Sequence, residues 1–215
     1  MIIIKILVLF LFLLFVEKYP KLSKFSSETK FNFYRSLMCI YFSLYSFENT
    51  INNLIPGYLE PINYKFDGFT DISQWFIAYL FLDIGKMVWM KNKRWDLYIH
   101  HIWCLITSFI TWYYDKIGFL YNFILINESI SIVSGIDSMF MEEKSMDKSK
   151  KCKIYRKNII KYIRHPVWII SLLTILYNAH NIPNIMFWNA IIFIFIGICL
   201  DIYWEKKCNK VINKK

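Results

Sequence analysis

Two adjacent histidines, His100 and His101, open the stretch HHIWCLITSF, which is otherwise apolar enough to be a membrane helix. An imidazole of near-neutral pKa can take the proton from an amine or hydroxyl nucleophile, or itself accept an acyl group. A carboxylate on its second nitrogen fixes the tautomer. One carboxylate stands where it could serve, Asp83 in the preceding apolar segment; Glu128, 27 positions after His101, lies in the following one. His100, His101 and Asp83 are therefore the candidate catalytic residues. In the competing reading the histidine pair caps a polar helix–helix contact near the membrane surface, where Tyr98 and Trp103 would also sit comfortably.

Helical spacing groups the neighbouring polar residues. His100, Cys104, Thr107 and Thr111 fall on one stripe of a helix, with His101 about 100° away beside Ser108. Tyr79, Asp83 and Lys86 share a face by their spacing, and so do Asn127, Ser131, Ser134 and Ser138, with Glu128 beside them and Gly135 close by. Polar groups are costly in lipid and face a bundle interior or a cavity. The expectation is a polar pocket between three successive helices, with Tyr79, Lys86, Cys104, Thr107, Asn127, Glu128 and Ser131 as pocket-lining, lipid-binding candidates. At about 1.5 Å rise per residue from the nearer membrane edge, the histidines lie roughly 5–6 Å deep, Asp83 roughly 10 Å and Glu128 roughly 18 Å. Glu128 is thus expected at the far end of the pocket.

The elements that must position these groups are membrane spans. The chain has 215 residues, of which 56% are hydrophobic and 20% aromatic, above the roughly 45–50% apolar usage of soluble domains. Its apolar residues fall in blocks at 2–16, 33–50, 72–90, 97–114, 119–140, 166–180 and 185–204, close to the ~20 residues needed to cross a bilayer. The formal charge of +10 could suggest nucleic acid, but its placement follows topology. Twenty-two of the 26 Lys and Arg lie in alternate connections, in or beside 18–35, 91–94 and 144–164 and in the tail after 205. The intervening connections hold only Lys65 and Lys116. By the positive-inside rule this puts the N-terminus outside or lumenal and the C-terminus in the cytosol. The reading divides the chain into a membrane anchor and basic loop at 1–32, a transmembrane domain at 33–205 and a basic tail at 206–215, in the endoplasmic reticulum or another internal membrane. The first block lacks a small-residue cleavage site, so an uncleaved anchor is expected.

Several classes are excluded or set aside. No Cys-x-x-Cys or Cys-x-x-His spacing suggests zinc, and no disulfide framework follows from Cys39, Cys104, Cys152, Cys199 and Cys208. Asn127-Glu128-Ser129 matches a glycosylation sequon but lies inside a span. Four histidines, His100, His101, His165 and His180, are too few for a two-metal lipid oxidation site. One ion on a histidine, Asp83 and Glu128 is the remaining arrangement, and no metal or cofactor is expected. Membrane lipids are the expected partners, with acyl-coenzyme A as a possible substrate.

The segment YLFLDIGKMVWM, the short basic connection, the IHH start of the next helix and LINESISIVSGIDSM together resemble the TLC-domain family over about residues 72–140. That family groups ceramide synthases with translocating-chain-associated proteins and lipid-homeostasis proteins. The resemblance implies an all-α, polytopic fold of about seven transmembrane helices in a TLC-type bundle or barrel. It also implies His100 and His101 as base or acyl acceptor, oriented by Asp83, in acyl transfer from acyl-coenzyme A to a lipid amine or hydroxyl. The synthase signature places a His-Asp pair and a further Asp where this chain has Asn127, Glu128 and Ser131. The chain is accordingly more similar to the non-ceramide-synthase branch, in which lipid binding or membrane lipid homeostasis is the expected role.

Overall fold

A computed structural model describes residues 2–213, which are helical with no strand among them. The helices are α1 (Ile2–Lys18), α2 (Ser27–Asn52), α3 (Leu54–Leu59), α4 (Phe69–Trp89), α5 (Trp95–Tyr114), α6 (Gly118–Asn127), α7 (Ser129–Glu142), α8 (Met146–Ile159), α9 (His165–Tyr177) and α10 (Asn184–Ile212). Three stretches, Gly118–Glu142, Met146–Tyr177 and Asn184–Ile212, are long and apolar enough to cross a membrane.

Two expectations change. The block 119–140 is broken at Glu128, which sits between α6 and α7. The basic run 144–164 is not a loop. It forms α8 and a π-helical turn, Ile160–Arg164, that runs on into α9. Lys and Arg are good helix formers, and the bulge falls just ahead of Pro166, which cannot donate a backbone hydrogen bond to the preceding turn.

The main core joins α1, α2, α4, α5 and α6 through Leu13, Phe31, Phe42, Phe76, Cys104 and Tyr121. The first helix is packed into the bundle through Leu9, Leu13 and Val16. Outside the core, large apolar side chains remain exposed on α1 (Ile3, Leu7, Leu11, Phe15), α2 (Leu44, Phe47), α9 (Ile169, Leu173) and α10 (Trp188, Phe195). An apolar surface of this extent is unfavourable in water and suits contact with lipid.

The most extensive helix pairing is α2 with α7, and it depends on small residues, as close-packed membrane helices commonly do. Ser36 Oγ donates to the Ile132 carbonyl at 2.9 Å. A Cβ at Gly135 would overlap Ser36 Oγ and the Asn32 carbonyl. Gly135→Val is therefore expected to destabilise the fold by about 1–3 kcal/mol through overpacking. Thermal unfolding in detergent checks this, and an unchanged melting temperature would contradict the pairing.

The connections gather at two ends. At one, Lys24 pairs with Glu143 at 2.5 Å, and Glu142 accepts from the Ser26 backbone N–H at 2.7 Å and the Ser26 hydroxyl at 2.9 Å. Lys207 lies 3.9 Å from Asp96 at the same end. At the other, Lys65 pairs with Asp115, and Lys116 donates to the Asn181 carbonyl at 3.1 Å. The segments dense in Lys and Arg thus share one end of the bundle.

Candidate functional site

Five polar side chains, from three helices and the α6–α7 junction, converge inside the bundle. Arg35 of α2 forks onto Asp83 of α4, Nε to Oδ1 at 2.5 Å and Nη2 to Oδ2 at 2.8 Å. His101 of α5 brings Nδ1 to 2.6 Å from Asp83 Oδ2, an ion-pair approach whose angle falls short of a hydrogen bond. One residue back, His100 Nε2 lies 3.0 Å from Glu128 Oε1. The two imidazoles stand 5.2 Å apart, centroid to centroid. Asp83 and Glu128 are both fully buried.

Local structure explains each placement. Adjacent residues on α5 point about 100° apart, so His101 meets α2 and α4 while His100 meets Glu128 and the Trp204 ring at 5.7 Å. Glu128 reaches His100 from the single turn residue at which α6 ends and α7 begins. Glu128 therefore stands beside the histidines and not at the far end of the pocket, since depth counted in residues takes every helix as upright and gives its side chains no reach.

Most of the remaining candidates border this cluster. The Tyr79 ring lies 6.4 Å from His101, and its hydroxyl is 3.8 Å from Cys39 Sγ. Cys104 Sγ is 3.8 Å from His100 Nδ1. Asn127 is buried, and neither of its side-chain polar atoms has a partner among the described residues. Two candidates lie elsewhere. Lys86 extends to Glu17 of α1 at 2.6 Å, at an apolar groove of about 560 Å³ between α1 and α4 that also includes Leu82 and Trp89. One turn nearer the end of α4 than Asp83, the neighbouring acid is on α1. Thr107 accepts from Asn189 of α10 at 3.2 Å, two turns along α5 from the histidines.

A cavity of about 450 Å³ opens beside the cluster at the basic end. Ser131, Ser134 and Gly135 line it along with His101, Arg35, Arg94, Lys153 and Arg156. Arg156 packs over the Trp204 ring at 5.5 Å, and its buried Nε has no partner among the described residues. Arg94 is held by Asp96 at 2.5 Å. Asp96 accepts hydrogen bonds from Arg94 Nε at 2.9 Å and from Trp204 Nε1 at 2.7 Å, with Lys207 3.9 Å away. Asp96 is therefore a fixed anion that keeps Arg94 at the cavity mouth.

The spacing arguments missed Arg35 and a second buried pair. Arg164 donates from Nε to Asp201 Oδ1 at 2.7 Å and from Nη1 to the Asn127 carbonyl, while Trp168 Nε1 donates to Asp201 Oδ2 at 2.8 Å. Arg164 and Asp201 are both fully buried. The available signal was charge within apolar sequence, Arg35 inside the second block and Asp201 inside the last, which by default needs an interior partner. No family model, curated protein or solved structure matches the chain.

Proposed function

We propose that this is a multi-pass membrane protein of TLC type whose polar cavity faces the cytosol and receives a lipid headgroup, in lipid binding or membrane lipid homeostasis. The observation that carries this reading is the cavity wall, within a bundle whose outer surface is apolar: its acids Glu28, Asp137 and Glu142 are accompanied by four cations, of which Arg35, Arg94 and Lys153 are paired with Asp83, Asp96 and Asp137, leaving Arg156 as the cation with no acidic partner among the described residues. Guanidinium groups offer forked donors that match phosphate and carboxylate oxygens. The unpartnered Nε of Arg156 is a donor awaiting such an acceptor.

In this reading about seven segments cross the bilayer: α1, α2, α4, α5, α6 with α7, the α8–α9 stretch, and α10. The clustering of Lys and Arg at one end supports the alternation, and the positive-inside rule assigns that end to the cytosol. Lipids retained through purification in mild detergent should include an anionic species enriched over bulk membrane, as measured by mass spectrometry. Arg156→Gln should reduce that enrichment about tenfold, the loss of one charge-assisted contact. A retained profile identical to bulk membrane would end the proposal.

The contact between Asp83 and His101 favours a second reading, acyl transfer from acyl-coenzyme A to a lipid amine or hydroxyl. With Nδ1 held by a carboxylate, Nε2 is the nitrogen left to act as general base or acyl acceptor. Acyl-coenzyme A offered with amine and hydroxyl lipids should then give turnover in the wild type that His101→Ala lowers by about 10²–10⁴. A wild type that retains lipid without turnover is a binder.

A further inference from the structure

The charges around the histidines do not balance. Asp83 has Arg35 as its forked cationic partner, and Arg164 is committed to Asp201 and the Asn127 carbonyl. Glu128, fully buried, has no Lys or Arg partner among the described residues. Its contacts are His100 Nε2 at 3.0 Å and two thiols, Cys39 at 3.8 Å and Cys104 at 4.0 Å. With both imidazoles neutral, the cluster of Arg35, Asp83 and Glu128 carries an uncompensated negative charge in a low-dielectric interior, where an unpaired carboxylate is strongly disfavoured.

The donor atoms are arranged for an ion. His100, His101 and Glu128 each bring one ligand atom within 4.8 Å of the other two. Around a zinc ion with bonds of about 2.0–2.1 Å, tetrahedral ligands lie roughly 3.3 Å apart. The 3.0 Å between His100 Nε2 and Glu128 Oε1 is already such an edge, and the His101 ligand atom, within 4.8 Å of both, could complete the set by side-chain rotation. Behind His101, Asp83 holds the other ring nitrogen at 2.6 Å and is itself forked by Arg35. A carboxylate this close to a ligating imidazole raises its basicity, and would fix its tautomer on turning into hydrogen-bond alignment.

We propose that His100, His101 and Glu128 bind a single zinc-class divalent ion. Two histidines and one glutamate leave a fourth position free for water or a ligand oxygen, and His101 forms part of the cavity wall, which puts that position at the cavity's inner surface. Cys104 stands further out, its Sγ 3.8–3.9 Å from the His100 ring nitrogens. The ion supplies the positive charge that Glu128 lacks. It also occupies Nε2 of His101, the nitrogen that the acyl-transfer reading requires.

The test uses the full chain, purified without chelator from cells grown with added zinc, and measures metal content by mass spectrometry. Near-stoichiometric zinc is expected, with cobalt replacing it to give the visible absorption of a four- or five-coordinate site. Chelation should lower the melting temperature and added zinc should restore it, because an ion that binds only the folded state stabilises it. Glu128→Gln and His100→Gln should weaken cobalt binding by more than the ~10–100-fold typical of outer-layer changes. The isosteric Glu128→Gln removes the buried charge, so it should stay folded while its melting temperature no longer responds to zinc. A wild type that is metal-free and thermally indifferent to zinc would overturn the proposal, and so would cobalt binding undiminished in Glu128→Gln. Lipid retention measured on the same samples is a separate readout: lipid held by metal-free protein ends this proposal and leaves the headgroup pocket standing.

Discussion

Replacing Arg35 with methionine should cost about 3–5 kcal/mol of stability, the usual penalty for removing one partner of a buried ion pair. Methionine occupies much of the same volume, so the loss comes from the charge it strands rather than from a void. Asp83 would keep only His101, at 2.6 Å, and would lose both guanidinium contacts. The stranded carboxylate then has no cation beside it, which disturbs the imidazole at the cavity wall. Unfolding in detergent by heat or denaturant measures the loss. The double variant Arg35→Met/Asp83→Asn should lie closer to wild type than Arg35→Met alone, because no charge is then left unpaired. Additive losses in the double variant would mean that the pair is not coupled.

The second large effect is expected at Arg164. Arg164→Met should destabilise by a similar ~3–5 kcal/mol, since Asp201 would keep only Trp168 Nε1 as donor and the Asn127 carbonyl would lose the guanidinium. Arg164 also stacks its guanidinium near Trp168 at 5.6 Å and Trp204 at 5.5 Å. Lysine should not rescue it, because a single ammonium cannot reproduce the fork that joins a carboxylate to a carbonyl while lying against two rings. The functional consequence follows from position. The Asn127 carbonyl marks the end of α6, immediately before Glu128, so releasing it loosens the turn residue that places Glu128 against His100. Arg164→Lys should therefore unfold earlier and also retain less lipid than wild type. A stable Arg164→Lys with wild-type retention would sink this account.

Much of the site was legible because helical periodicity is a local property. Spacing alone put Asp83 and Tyr79 on one face and His100 and Cys104 on another, and these four now border a single cluster. Lys86 satisfies the same periodicity, yet its long side chain reaches a neighbour that periodicity does not specify, Glu17 of α1. Arg35 could be read as a topological charge at the edge of a span. That it instead neutralises Asp83, 48 positions away, depends on α2 lying against α4. Similarly, the π-turn at 160–164 adds a residue to the helical repeat and turns Arg164 inward, where a regular helix read from sequence would leave it among the basic residues of the run.

Composition and charge placement by themselves determined that the chain is helical, that it has long apolar stretches, and that its cations cluster in a few segments between them, because hydropathy and charge are summed along the chain. Only the tertiary structure decided which acid meets which base: Asp83 with Arg35 and His101, Glu128 with His100, Asp201 with Arg164. Partner choice among buried charges depends on interhelical distance and on local breaks such as the one at Glu128. Those distances arise when small residues like Ser36 and Gly135 let two helices approach, long after the local pattern has been written.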